Sequence, residues 1–375
     1  MKIVVALDKF KGSLTAPQAC EIVRRALLAV HPGWEVVTVP MADGGEGTAA
    51  ALMAARGGEW VPATVTGPLP GMKVEAGYGW FARDRTAVVE MAAASGLVLL
   101  RPEDRDPLRT TTHGTGELLR AAAQHGAQRI WLGVGGSATV DGGVGAAMAL
   151  GWRFLDAEGK PIGLGGGELE RIRRIESPVI TNQPSAEVLC DVDNPLCGER
   201  GAARVFGPQK GATPAMVDRL DAGLAHLARL VRAQLGREIA DLPGAGAAGG
   251  LAAGAVAFFD ARLVTGAEAV MAATDFESVL RKADWVVTGE GKFDEQSLHG
   301  KVVSAVTRLA NRCGVRVAVL AGSVTLPATT YRAAGVEVAI SLQEPGMPLA
   351  QAMDRGAELL ERATQAWAAG LDSAF

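Results

Sequence analysis

The chain has 375 residues, 48% of them hydrophobic and 21% charged, with a formal net charge of −4. That balance describes a globular protein long enough for two cores, and it offers no basic surface for nucleic acid. The apolar start Met1–Leu7 meets Asp8 and Lys9 too soon for a signal-peptide core, and no other run stays apolar over the thickness of a bilayer. The expected setting is the cytoplasm, with small-molecule partners and neither nucleic acid nor membrane.

The first apolar run, Ile3–Leu7, reads as a buried strand that ends at Asp8-Lys-Phe-Lys-Gly-Ser13. Thr15-Ala-Pro-Gln18 has capping-box spacing with proline in the first turn, which predicts a helix to about Val30. A second run, Glu35–Val39, leads to Asp43-Gly-Gly-Glu-Gly-Thr48. The texture then changes: Ala63–Gly67, Lys73–Phe81 and Thr86–Met91 are short β-rich pieces separated by Gly and Pro, as in a separate mixed-sheet domain. The strand-helix rhythm returns at Arg129–Val134, lapses from about Gly151 to Arg281, and resumes with Asp284–Thr288, Arg316–Ala321 and Val336–Leu342. Within the lapse, Thr213-Pro214 opens a long amphipathic helix, Met216–Leu235. Such runs with helices between them predict a mostly parallel, doubly wound sheet in a discontinuous domain.

Cys20, Cys190, Cys197 and Cys313 have neither metal-ligand spacing nor the density of a disulfide framework, and are read as buried or bystander thiols. The 48 glycines are more telling, because they gather at the ends of predicted strands. The densest group is Gly133-Val-Gly-Gly-Ser-Ala-Thr-Val-Asp-Gly-Gly143. Without a Cβ, backbone N–H groups can converge on an anion, and ligands in open α/β sheets bind beyond the carboxyl ends of strands. Phosphate is the expected anion here, with Gly135, Gly136, Ser137, Thr139 and Asp141 as candidate contacts; tight turn geometry by itself also explains glycine at any one such turn.

The kind of phosphate site is limited by what is missing. Gly291-Lys292 is followed by Phe293 and Gly300-Lys301 by Val302, so no P-loop motif is present. A Gly-x-Gly-x-x-Gly occurs at Gly244–Gly249, but Glu238–Pro243 before it makes a poor strand, so it is a weak dinucleotide fingerprint. In Asp191-Val-Asp-Asn-Pro195 two carboxylates share one face of an extended segment, suited to Mg²⁺ or to taking a proton, or else to an Asx turn before the proline. Phe206-Gly-Pro-Gln-Lys-Gly211 adds a loop with a cation, and Gly289-Glu-Gly-Lys-Phe-Asp-Glu-Gln-Ser297 adds more carboxylates after a strand. Glycine turns, carboxylates and lysines are the parts that phosphoryl transfer needs, since positioning and charge neutralisation supply most of its catalysis.

Taken in order, the Asp8–Ser13, Asp43–Thr48, Thr112-His-Gly-Thr-Gly-Glu117, Gly135–Gly143, Cys190–Leu196, Phe206–Ala212, Pro243–Gly250 and Thr288–Ser297 segments resemble the bacterial type I glycerate kinase family, from Met1 to about Ser323. The resemblance implies ATP- and Mg²⁺-dependent phosphorylation of D-glycerate, to 2-phosphoglycerate or 3-phosphoglycerate, with ADP as the other product. It also implies a two-domain α/β fold. A discontinuous, doubly wound Rossmann- or flavodoxin-like domain is expected over residues 1–60, 110–150 and 281–375, and a mixed α/β insertion domain over 61–109 and 151–280, with a cleft between them. Lys9 stands where the family usually has Ser or Ala, an added charge without an assigned role.

Glycerate carries a carboxylate and two hydroxyls, so its site needs cations or backbone donors and an acceptor near the attacking oxygen. Asp191 is the expected base or orienting group, with Lys11 beside it in the catalytic set. Ser13, Asp8 and Lys292 are the expected substrate contacts, and Asp294, Glu290 and Asp193 the expected Mg²⁺ ligands, although an Asp after a strand also caps helices. His113 is either a substrate contact or a helix-entry residue bonded to backbone. Two other functions fit parts of the pattern: a non-catalytic sugar-acid or nucleotide sensor, disfavoured by so many carboxylates around anionic ligands, and an NAD-dependent dehydrogenase using Gly244–Gly249. Neither the acceptor hydroxyl nor the oligomeric state is set by the sequence.

Overall fold

A computed structural model describes residues 1–179, 183–298 and 301–371. Its strands in chain order are β1 (Lys2–Leu7), β2 (Glu35–Thr38), β3 (Glu59–Thr66), β4 (Lys73–Phe81), β5 (Thr86–Glu90), β6 (Arg129–Gly133), β7 (Arg153–Leu155), β8 (Arg174–Glu176), β9 (Ser185–Leu189), β10 (Arg262–Val264), β11 (Trp285–Gly289), β12 (Lys292–Phe293), β13 (Arg316–Ala321), β14 (Ser323–Val324) and β15 (Val338–Ser341). The chain folds into two units: Met1–Asp43 with Ala50–Gly57 and Ala267 onward, and Gly44–Ala49 with Gly58–Gly266.

In the first unit five strands form one parallel sheet in the order β15-β13-β11-β1-β2. Counted within the unit this is the 2-1-3-4-5 order of flavodoxin-like folds. Ile3–Leu7 and Val317–Ala321 have no exposed surface, as continuous apolar strands require when helices cover both faces. The helix Ala16–Val30 begins with the expected capping box: the Gln18 N–H donates to Thr15 Oγ1 at 3.4 Å and the Thr15 N–H to Gln18 Oε1 at 3.0 Å. This helix packs with the Gly356–Leu371 helix around Ile3, Val5 and Leu7. Strand order reverses between β1 and β11, so the turns at Asp8 and Glu290 occupy the switch point where open α/β sheets bind ligands.

In the second unit six strands run β10-β9-β6-β5-β4-β3, parallel from β10 to β5 and antiparallel from β5 to β3. The expected domain bounds need correction here, because residues 110–150 belong to this unit. The reason is pairing: β6 lies in parallel beside β5, with the His113–Gln124 helix between them in sequence, so Thr86–Glu90 starts a βαβ step that Arg129–Gly133 completes. β3 starts at Glu59, earlier than expected, and runs through Pro62, which an edge strand tolerates. The Pro214–Leu235 helix has its expected N-cap, with the Met216 N–H donating to Thr213 Oγ1 at 3.4 Å, and it ends at Gly236 in the left-handed region. The core of this unit joins the sheet to the Leu251–Phe259 helix through residues such as Leu132, Val188 and Phe258. Among the described residues no helix is long and apolar enough to cross a membrane, and all four cysteines are free.

Candidate functional site

In the second unit the parallel strands end level with one another, Glu90, Gly133, Leu189 and Val264 being neighbours across β5, β6, β9 and β10. The Gly44–Gly47 loop lies on these ends, held by the Glu90 carboxylate, which accepts the N–H of Gly47 at 3.0 Å and of Ala49 at 2.7 Å. A Cβ on Gly44 would come within 2.4 Å of Leu189 Cβ, one on Gly133 within 2.6 Å of the Gly44 carbonyl, and one on Gly135 within 2.7 Å of Gly45 Cα. The chain's own backbone therefore requires several of these glycines, a correction to the expectation that an approaching phosphate accounts for them.

Gly244–Gly249 is explained in the same way. A Cβ on Gly249 would lie 1.9 Å from the Thr139 carbonyl and one on Gly246 would lie 2.4 Å from the Pro195 carbonyl, while the Gly142 N–H donates to Gly249 O at 3.0 Å. The segment locks the 139–143 turn to the loop after β9. No strand precedes it, so it lacks the context of a dinucleotide fingerprint.

What faces outward is narrower. Gly136 is exposed and left-handed, with φ of 73°. The turn is tied down by Leu97 N–H to Gly136 O at 2.8 Å and Ala138 N–H to Ser95 O at 3.0 Å. Among the described residues the N–H groups of Gly135, Gly136 and Ser137 have no acceptor. Three adjacent donors of this kind form a concavity suited to an anion. Thr139 and Asp141, expected as phosphate contacts, are instead fully buried under the turn. Asp141 accepts the N–H and hydroxyl of Thr112 at 2.7 and 2.9 Å, the Thr111 hydroxyl at 3.4 Å, and the N–H groups of Gly143 and Gly145 at 3.1 and 3.3 Å. Burial raises its carboxyl above the usual range in spite of these donors. Its task is to shape the turn from within.

Lys210 is the residue that sequence reasoning misses: its loop offers a cation, but nothing in the motif gives that cation a place. Its ammonium is buried beside the same turn and donates to Ser137 Oγ at 2.7 Å and to the Thr139 carbonyl at 2.8 Å. Burial pulls it down to about 7, against the attraction of Asp141.

Asp191 follows β9, next to the strand that delivers the 135–141 turn, and its Oδ1 accepts the Gly266 N–H at 2.7 Å. Asp193 does not share its surroundings. It is exposed, with the Arg200 guanidinium at 2.9 and 3.0 Å from its carboxylate oxygens. Asp193→Ala is expected to leave turnover and its Mg²⁺ dependence within about twofold, since exposed ion pairs contribute little; a Mg²⁺ titration of the variant checks this. His113 sits in the first turn of its helix against Glu117, and burial keeps its imidazole below the usual value.

In the first unit Asp8 is buried at the switch point, its Oδ1 accepting the Lys9 N–H at 2.7 Å. Burial, with the nearby Asp43 and Glu290 charges, lifts its carboxyl to about 7 against the pull of Lys9. Lys9 thereby finds its role, with its ammonium 3.2 Å from Asp43 and 3.8 Å from Asp8. Glu290 is also raised by burial, against Ser297 and Lys301, and its Oε1 is buried without a hydrogen-bond partner among the described residues. Asp294 differs: its Oδ1 accepts the Gln296 N–H at 3.0 Å and its Oδ2 pairs with Lys292 at 3.0 Å. Burial tends to raise it, but those partners prevail and hold it low. Asp294 and Lys292 thus form an ion pair in which the lysine is exposed. No three His, Cys, Asp or Glu among the described residues are grouped to hold a metal, so the expected trio of Asp294, Glu290 and Asp193 is not brought together.

Lys11 is exposed, on the turn whose backbone approaches Gly291. Ser13, expected to touch substrate, instead donates its hydroxyl to the Met353 carbonyl at 2.6 Å, and Gly12 packs on Met353. Ser13→Ala is expected to lower stability by about 1 kcal/mol and leave the KM for glycerate unchanged; thermal melts beside steady-state kinetics test both halves.

The comparisons agree with this architecture over nearly its whole length. The model of the glycerate kinase family matches residues 3–371. The glycerate kinase of Halalkalibacterium halodurans is 47% identical, covering 97% of this chain and 96% of the relative. That of Bacillus subtilis is 44% identical over 99% and 98%, and the glycerate 2-kinase of Escherichia coli is 44% identical over 91% and 90%. A crystal structure of a candidate glycerate kinase 2 from Salmonella typhimurium LT2 superposes with a TM-score of 0.87 at 41% identity, covering 100% of this chain and 99% of the other. Since the match spans both units and every motif that shapes the turns described above, the chain belongs to the glycerate kinase family, which uses ATP as phosphoryl donor.

Proposed function

We propose that this chain transfers the γ-phosphoryl group of ATP to the 2-hydroxyl of D-glycerate, giving 2-phosphoglycerate and ADP. The observation that carries the reading is the row of N–H donors at Gly135–Ser137, without acceptors among the described residues, which follows β6 as Asp191 follows the neighbouring β9. The choice of hydroxyl follows the relative named a glycerate 2-kinase. In the step itself the glycerate oxygen forms a bond to the γ-phosphorus as the bond to the β-phosphate oxygen breaks, and the hydroxyl proton passes to Asp191. The transition state is loose, so Asp191 acts by orienting the hydroxyl as much as by taking its proton. Gly135, Gly136 and Ser137 hold an anionic oxygen of a substrate, and Lys11 is an exposed cation on the first unit's own Asp8–Ser13 turn.

Mg²⁺ fits the first unit's carboxylates better than its lysines. Glu290, with a buried oxygen lacking a partner among the described residues, and Asp8 would hold the ion. The chemistry such an ion would supply is neutralisation of phosphate charge. The enzyme so read works in the cytoplasm, where ATP is supplied.

An ADP-release assay with ATP, Mg²⁺ and D-glycerate, with the product read by phosphorus NMR, tests the proposal. Turnover to the 2-phosphate supports it, and the 3-phosphate corrects the hydroxyl. Binding of both ligands without turnover would instead support the sensor.

A further inference from the structure

The side chain of Lys210 is out of place by ordinary rules. A fully buried ammonium is costly unless an anion accompanies it. Yet no carboxylate among the described residues lies within 4.0 Å of its Nζ, and the anion whose charge it feels, Asp141, is already bound by Thr111, Thr112, Gly143 and Gly145. It touches two oxygens of the same turn instead, Ser137 Oγ and the Thr139 carbonyl.

Those contacts fix the direction of a third hydrogen bond. In its charged form Lys210 has donors only, so Ser137 Oγ then accepts from it and the hydroxyl hydrogen of Ser137 points elsewhere. Among the described residues that hydrogen meets no acceptor. The hydroxyl belongs to the same stretch as the N–H groups of Gly135, Gly136 and Ser137, which also lack acceptors there, and Gly136 turns the backbone through a φ of 73° at that point. The Ser137 hydroxyl and the N–H groups of Gly135, Gly136 and Ser137 are thus adjacent donors without an acceptor among the described residues, and the Lys210 amine lies beside them.

We infer that Lys210 is a positioning residue that forces the Ser137 hydroxyl to donate, together with the neighbouring N–H groups, to an anionic oxygen of a bound substrate. The inference rests on the kinase reading for its choice of anions, a phosphate of the nucleotide or the carboxylate of glycerate. It assigns to Lys210 the buried counter-charge for that oxygen, at one hydroxyl's remove.

The test titrates ADP and D-glycerate separately into the full-length wild type, Ser137→Ala, Lys210→Met and the double variant, with a thermal melt of each. Ser137→Ala is expected to weaken one ligand by about tenfold or more and leave the other within about twofold, as loss of a charged hydrogen bond predicts. Weakened ADP identifies phosphate as the anion, and weakened glycerate identifies the carboxylate. Lys210→Met should weaken the same ligand, and the double variant should be no worse than the poorer single one, because the lysine acts through the serine. Should Lys210→Met fail to fold, Ser137→Ala decides alone. Both affinities unchanged in Ser137→Ala, or the two substitutions striking different ligands, overturns the inference. Turnover of the wild type is measured in parallel: turnover with no Ser137 effect sinks the inference and keeps the kinase, whereas a Ser137 effect without turnover does the opposite.

Discussion

Asp191→Asn is expected to lower kcat by about 10²–10⁴-fold while leaving the fold in place. The amide keeps an oxygen in the position of Oδ1, so the 2.7 Å hydrogen bond from the Gly266 N–H survives and the loop after β9 stays where it is. What is lost is the negative charge and the ability to take the hydroxyl proton. A loose transition state places the expected loss toward the low end of that range. Steady-state kinetics with a thermal melt distinguish the outcomes: a kcat within twofold of wild type removes Asp191 from the reaction, and a fall in kcat that tracks a fall in Tm reduces it to a loop anchor.

The second large effect is on stability. Asp141→Ala strips the acceptor from the Thr112 N–H and hydroxyl and from the N–H groups of Gly143 and Gly145, all of them buried. Leaving such donors without a partner, beside the buried Lys210 ammonium, is expected to cost about 4 kcal/mol, or about 8–16 °C in Tm. Asp141→Asn should lose less, since one oxygen remains for Thr112 while the amide opposes the Gly143 N–H, donor against donor. Calorimetry of the two variants provides the check; an alanine variant that melts within about 2 °C of wild type contradicts the reading of Asp141 as the support of the turn.

Patterns that depend on neighbours in sequence are legible from the residues alone. The Thr15–Gln18 cap, the proline-led helix after Thr213 and the strands of the flavodoxin-like sheet all follow from local spacing. Partnership between strands does not. Arg129–Gly133 looks the same whether its neighbour is β1 or β5, and only the pairing with β5 assigns residues 110–150 to the second unit. β9 and β10 are hidden because Ser185, Glu187 and Arg262 break the apolar pattern of short strands. The motifs mark the correct turns, but a motif does not say which side of a turn faces out. Ser137 lies against Lys210, Thr139 and Asp141 lie wholly inside, and Ser13 faces Met353, distinctions made by burial and by partners distant in sequence. Lys210 escapes notice for the same reason: a lysine among loop glycines is ordinarily a solvated cation, and nothing local signals that this one is enclosed.

The chain passes between the two units four times, at Asp43/Gly44, Ala49/Ala50, Gly57/Gly58 and Gly266/Ala267. During synthesis this imposes an order of events. β1 and β2 emerge from the ribosome first, but β11, the other neighbour of β1, follows more than two hundred residues later, and β13 and β15 later still. The second unit has all its strands by Val264 and can condense while the first still holds a two-stranded fragment, too small to be stable alone. The nascent first sheet therefore waits with an apolar β1 edge open, and truncation after Gly266 should leave the inserted unit folded while the first sheet never closes.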